Sequence, residues 1–230
     1  MTGDEPKAKA EAPRADGCIL DLGFESEPPD AVRELGRVLI VPGSMARITT
    51  SFSFSGRGCA VVECPEPGQE GLIRLAPETG APLAGDGTVL EFVYRPVIDR
   101  AVELTGFPIL RCLGRDERGE SGWPVMVELR ARGSAAEGTY DVEVTSGKAI
   151  VAAGGAGLSQ TNWYRFVLHR VDGQVALWLG PPGEEQAIAA YPDLDPDLAV
   201  HELLLGNGGN PWALGSGYWD EVRLGQVIPI

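Results

Sequence analysis

At 230 residues, 43% of them hydrophobic, the chain can bury a full core as one large domain or two small ones. A formal net charge of −14 excludes nucleic acid as the natural partner, because a phosphate backbone demands a basic face. No apolar run approaches the roughly 20 residues that cross a bilayer, so no membrane insertion is expected, and the acidic surface suits solvation or an uncharged or cationic partner.

The opening "MTGDEPKAKAEAPRADG" mixes charges with Ala and Pro and has no apolar segment. It predicts a disordered tail over 1–16, a single domain over 17–230 and no secretory signal peptide. The expected location is cytoplasmic, unless the sequence was cut from a larger exported protein. Strand signals then dominate. "ILDLGF" and "RVLIVP" are followed by "RITTSFSFSG", whose alternation puts Ile48, Thr50, Phe52 and Phe54 on one face. Between the first two, "PDAVRELG" has helical spacing, with Asp30 as a cap for one or two turns.

"GRGCAVVEC" and "GLIRLAP" predict short strands, and "TVLEFVYRPV", "FPILRCLG", "PVMVELRARG", "TYDVEVTSG" and "KAIVAAGG" a regular series. The strongest local signal is "NWYRFVLHRVDGQVALWLG". Two runs of β-formers flank Asp172-Gly173, a pair that favours a type I′ turn because both positions tolerate positive φ. In the second run Val175, Leu177 and Leu179 share one face, and Ala176 and Trp178 the other. "AIAAYP", "HELLLG", the loop "GNGGNPWALGSG" and the closing strand "YWDEVRLG" complete the chain. Nothing alternates strands with long helices, so the fold class is all-β, a two-sheet antiparallel sandwich.

Four cysteines (Cys18, Cys59, Cys64, Cys112) are too few for a disulfide scaffold, and Cys59 and Cys64 bracket a strand too long to bridge. Only two histidines are present, so a zinc site is not expected, and the thiols are read as buried and free.

The hairpin, "ELLLG", the Gly/Asn loop and "GYWDEVRLG" resemble the C-terminal half of concanavalin A-like lectin/glucanase domains, especially the laminin-G-like jelly rolls. The match spans about residues 160–226, and "LDLGFES" resembles the first strand of such domains, which pairs beside the last. The resemblance implies a jelly-roll sandwich, an architecture that hosts lectins, glycanases, adhesion modules and structural domains alike.

Retaining glycanases need two carboxyls about 5 Å apart. Laminarinase-like relatives carry them as E-x-D motifs on one strand, and here no Glu is followed two positions later by Asp. Asp220 and Glu221 are adjacent and point to opposite faces of a regular strand. Asp141 and Glu143 share a face, as do Glu25 and Glu27, and Asp141 with Glu143 is the pair a diverged glycoside hydrolase would use. There is no G-x-S-x-G elbow, and the glycine-rich stretches lack the strand-to-helix unit that phosphate binding requires.

Regular alternation puts Tyr218, Asp220, Val222 and Leu224 on one apolar face. A carboxylate there needs backbone N–H donors or a cation. A structural Ca2+ held by Asp220 with Asp21 and Glu25, which the resemblance brings near, is one candidate; a hydrogen-bonded Asp is the other. For sugar recognition the loop offers Asn207, Asn210 and Trp212, with Trp219, Glu221 and Arg223 on the closing strand's other face. Trp163 and Trp178 are expected in the core, and Trp123 in either role. The overall expectation is a non-catalytic module that binds a carbohydrate or protein partner through a loop rim or concave sheet face. A diverged glycoside hydrolase and an assembly domain without a small ligand are the alternatives.

Overall fold

A computed structural model describes residues 12–25, 34–64, 66, 68–83, 85–97, 107–115, 121–131, 139–146, 149–160, 162–193, 198–206 and 215–227. These hold fifteen strands. They are β1 (Asp16–Leu22), β2 (Arg37–Ile40), β3 (Ala46–Thr49), β4 (Cys59–Cys64), β5 (Ile73–Ala76), β6 (Thr88–Val97), β7 (Phe107–Arg115) and β8 (Ser121–Ala131). The remainder are β9 (Thr139–Ser146), β10 (Ala149–Ser159), β11 (Tyr164–Val171), β12 (Gln174–Gly180), β13 (Gln186–Pro192), β14 (Ala199–Leu205) and β15 (Gly215–Gln226). The first sheet runs β13-β12-β11-β6-β15-β4-β3, with β1 also on β15; the second runs β10-β9-β8-β7-β14-β5-β2. All pairings are antiparallel, and the two sheets form the sandwich that the alternation predicts.

The hairpin forms as its turn residues dictate. Asp172 and Gly173 both have positive φ (51° and 68°), and β11 pairs with β12 in unbroken register from Arg165–Gly180 to Val171–Gln174. Val175, Leu177 and Leu179 enter the core, while Trp178 lies half-buried on the sheet's outer face. Trp178 there packs against a small cluster formed by Ala12, Ala15, Val89 and Val167. The packed chain therefore already includes Ala12 and Ala15, ahead of the boundary that composition suggests at Asp16.

Two other elements depart from expectation. The strand of "RITTSFSFSG" ends at Thr49, and residues 50–57 leave the sheet in a series of bends. Most of "PDAVRELG" falls outside the described residues, but its last part is extended: Leu35 bridges to Asp21 through reciprocal backbone hydrogen bonds.

The core between the sheets centres on Phe92 and Phe166, stacked at 4.9 Å, with Tyr94 and Trp219 beside them. Gly217 makes room for this group, since a Cβ there would lie 2.5 Å from the Tyr94 ring. Trp219 is fully buried and donates its indole N–H to the Ile109 carbonyl at 2.9 Å, tying the last strand of one sheet to the other. Truncating such a residue costs about 3–5 kcal/mol.

Candidate recognition surface

Everything distinctive about the closing strand follows from one extra residue. β15 pairs Asp220 with Val93 and then Arg223 with Glu91, so three steps on β15 match two on β6. The additional residue is Glu221, held at φ 48° in a β-bulge. The bulge resets the alternation. Trp219, Val222 and Leu224 all enter the core, whereas Tyr218, Asp220 and Arg223 share the outer face. This corrects the regular-strand reading in two respects: Trp219 is an interior residue rather than part of an exposed ligand face, and Asp220 does not share a face with Val222 and Leu224.

Asp220 is completely shielded from solvent, under the bent segment 50–57. Its Oδ2 accepts the backbone N–H groups of Phe54 (2.9 Å) and Ser55 (3.0 Å), and its Oδ1 accepts that of Glu221 (2.8 Å). One carboxylate thus pins the loop to the sheet and satisfies the bulge. Burial pushes its carboxyl up to about 6, against the opposing pull of the three amides. Glu25 fastens the same loop further along, accepting the Arg57 N–H with both carboxylate oxygens at 3.0 Å. Asp21 pairs with Arg223 at 3.0 Å. Each of the three carboxylates expected as calcium ligands is met by protein donors.

The pinned loop carries aromatic rings onto the sheet. Phe52 stacks on Trp163 (5.5 Å between centroids, 11° between planes) and tilts against Tyr218 at 5.1 Å. Phe54, 38% exposed, meets Trp163 edge-on at 5.7 Å. The Arg95 guanidinium lies 4.5 Å from the Phe52 centroid, a cation–π contact. Cys59 donates its S–H to the Phe52 carbonyl and adds a further tether. Phe52, Trp163 and Tyr218 are half-buried, so the cluster presents ring surface to solvent at fixed positions. Trp163, expected in the core, is part of this outer surface.

On the other side of the loop is a recess of about 370 Å³ lined by Asp21, Gly23, Glu25, Ser55, Gly56, Glu221 and Arg223. Glu221 and Arg223 are among the residues that line it. From here a chain of alternating charges crosses the sheet: Asp21, Arg223, Glu91, Arg165 and Glu185. Glu91 is 3% exposed and is flanked by both guanidinium groups.

Asn207, Asn210 and Trp212 lie outside the described residues. Asp141 and Glu143 occupy the outer-facing register of β9, where Glu143 is buried and stands opposite Glu128 of β8. Among the described residues no three His, Cys, Asp or Glu side chains converge as a metal site.

No known protein family profile matches the sequence, and no curated protein matches it. Solved structures do match in fold. A Bacillus subtilis protein of unknown function with a galectin-like fold aligns over 95% of this chain and 100% of its own, with a TM-score of 0.58 and 13% identity. An alginate lyase from Klebsiella pneumoniae aligns over 76% of this chain and 84% of its own (TM-score 0.54, 10% identity). The receptor binding domain of botulinum neurotoxin mosaic serotype C/D aligns over 93% of this chain but 48% of its own (TM-score 0.58, 10% identity). The chain is thus similar in fold to galectin-like and other jelly-roll structures, among them both binding domains and lyases.

Proposed function

We propose that this chain is a concanavalin A-like, laminin-G-like jelly roll that works without catalysis, recognising a carbohydrate through the outer face of its first sheet. The observation that carries the reading is the ring cluster of Phe52, Phe54, Trp163 and Tyr218 beside Arg95, held half-exposed by a loop that Asp220 fastens. Sugar recognition uses such a combination: apolar ring faces against pyranose C–H groups, with fixed polar atoms reaching the hydroxyls. Arg95, Glu221 and Arg223 supply the polar atoms. Three carboxylates against one guanidinium in the recess favour an uncharged or amino-bearing glycan over a polyuronate. A binding role also accords with the similarity to toxin binding domains, although that likeness by itself concerns fold.

The test is a glycan array of neutral, amino and uronic-acid oligosaccharides probed with the wild-type chain and with Phe54→Ala. Retention of neutral or amino glycans by the wild type, reduced in Phe54→Ala, is expected. Preferential capture of uronic acids, or identical profiles for the two proteins, would refute the assignment.

A further inference from the structure

Beyond the ring cluster, the outer face of the first sheet is covered by the chain's own N-terminal segment. The antiparallel register sets Arg223, Glu91, Val167 and Trp178 side by side across β15, β6, β11 and β12. Gly225, Val89, His169 and Ala176 form the next row on the same face. Although they face outward, Val89 and Val167 are completely buried. Their cover is Ala12 and Ala15, each 8% exposed, which join them in a cluster apart from the main core. Gly225 is where the segment crosses β15: a Cβ there would lie 3.1 Å from the Asp16 carbonyl oxygen and 3.3 Å from the Ala15 Cβ.

The cover is light. Residues 12–15 belong to no strand, and two alanine methyls supply the apolar contact, with Arg14 between them exposed. Among the described residues the hydrogen bonds of this segment are local. The Asp16 N–H donates to the Arg14 carbonyl at 3.1 Å, and the Cys18 thiol to the Ala15 carbonyl at 2.9 Å.

The surface beneath has chemistry that two alanines leave unused. The Trp178 indole N–H is buried with no hydrogen-bond partner, and the His169 ring tilts against the same indole at 6.3 Å. An N–H buried without an acceptor is costly, and an alanine side chain cannot supply one. A sugar hydroxyl can, while its C–H face suits the indole ring. From Trp163, just before β11, to Val167, which pairs with Trp178, the chain runs about 13 Å at the rise of a strand. An extended oligosaccharide bridges that distance and a disaccharide does not.

We propose that residues 12–15 are a displaceable strap over a second sugar-stacking subsite, formed by Trp178, Val89, Val167 and His169, which an extended uncharged oligosaccharide reaches from the ring cluster. This rests on carbohydrate recognition at that cluster.

Two measurements on the full chain test it, with the best-retained uncharged oligosaccharide of the glycan array and its terminal disaccharide as probes. The first follows trypsin cleavage after Arg14 by mass spectrometry. The strap must leave the sheet to enter a protease, so the oligosaccharide should speed this cleavage several-fold and the disaccharide should not. The second compares affinities. Ala12→Asp combined with Ala15→Asp, with unchanged circular dichroism, should bind the oligosaccharide about tenfold more tightly than wild type and the disaccharide equally. Adding Trp178→Ala should remove that gain. An oligosaccharide that needs Phe54 but neither speeds cleavage nor gains from strap release would overturn the strap and leave the ring-cluster site standing. A gain that survives Trp178→Ala would overturn the subsite. Binding to the released chain that is lost in Trp178→Ala but indifferent to Phe54→Ala would support the subsite and overturn the ring-cluster reading. An array silent for wild type and released chain alike would overturn both.

Discussion

Replacing Asp220 by Asn tests the physical basis of the pinned loop. In the folded chain burial raises this carboxyl to about 6, from an ordinary value of 3.8. A raised value means that the folded state holds the proton more tightly than the unfolded state. Its contribution is therefore fully present below about pH 3.8 and is lost as pH rises through about 6. Roughly two pH units at 1.36 kcal/mol each give a swing of ~3 kcal/mol. For a chain of this length that corresponds to a shift in Tm on the order of 6–12 °C. The Asn variant keeps the shape but cannot titrate, so other ionisable groups cancel in the difference between the two proteins. Urea unfolding of both between pH 4 and 7.5 should show wild type losing ground to Asp220→Asn as pH rises, most steeply near pH 5, between the two values, and levelling off above pH 6. A flat difference would mean that the carboxyl is not perturbed. A difference that favours wild type as pH rises would mean that the three amides outweigh burial and hold the group ionised.

Removing Glu91 by Glu91→Ala leaves Arg165 and Arg223 facing a gap, and breaking a buried pair from one side costs about 3–5 kcal/mol; a loss under 1 kcal/mol in denaturant unfolding would show that the charge chain is only a surface feature. Cys59, Cys64 and Cys112 are buried, and burial raises Cys59 and Cys112 to about 12. A thiol reagent at pH 8 should therefore modify at most Cys18 in the native protein and all four cysteines after unfolding, and rapid native reaction of a second thiol would contradict the packing. For calcium, the amide cradle around Asp220 predicts a Tm unchanged by chelator; a fall of several degrees that is absent in Asp220→Asn would establish a cation at Asp21, Glu25 and Asp220.

Strands with one face in the core and one toward solvent are legible from alternation; β12, for example, alternates in burial along Gln174–Gly180. The hairpin is legible from Asp172-Gly173 alone. The surface was harder to read because it rests on a single bulge. Glutamate is not a residue whose presence announces positive φ, so nothing local marks Glu221, yet its insertion exchanges the faces of all that follows. "SFSFSG" misled for a related reason: its alternation is real, but the small residues that look like a solvent face belong to a loop whose hydrogen bonds come from a residue 166 positions away. Long-range capture of backbone N–H groups by one acid leaves no periodic trace. The carboxylate of the closing strand was legible as a group needing N–H donors or a cation, while its donors came only with the fold.

The most direct measurement of the central claim is the affinity of the best array glycan for the wild type and for Trp163→Ala, with thermal unfolding of both in parallel. Trp163 is half-exposed and supports Phe52 and Phe54 without entering the core. The account predicts binding at least ~10-fold weaker, equivalent to about 1.4 kcal/mol, with only a small change in Tm. Equal affinity in the two proteins would contradict it and move recognition away from this face.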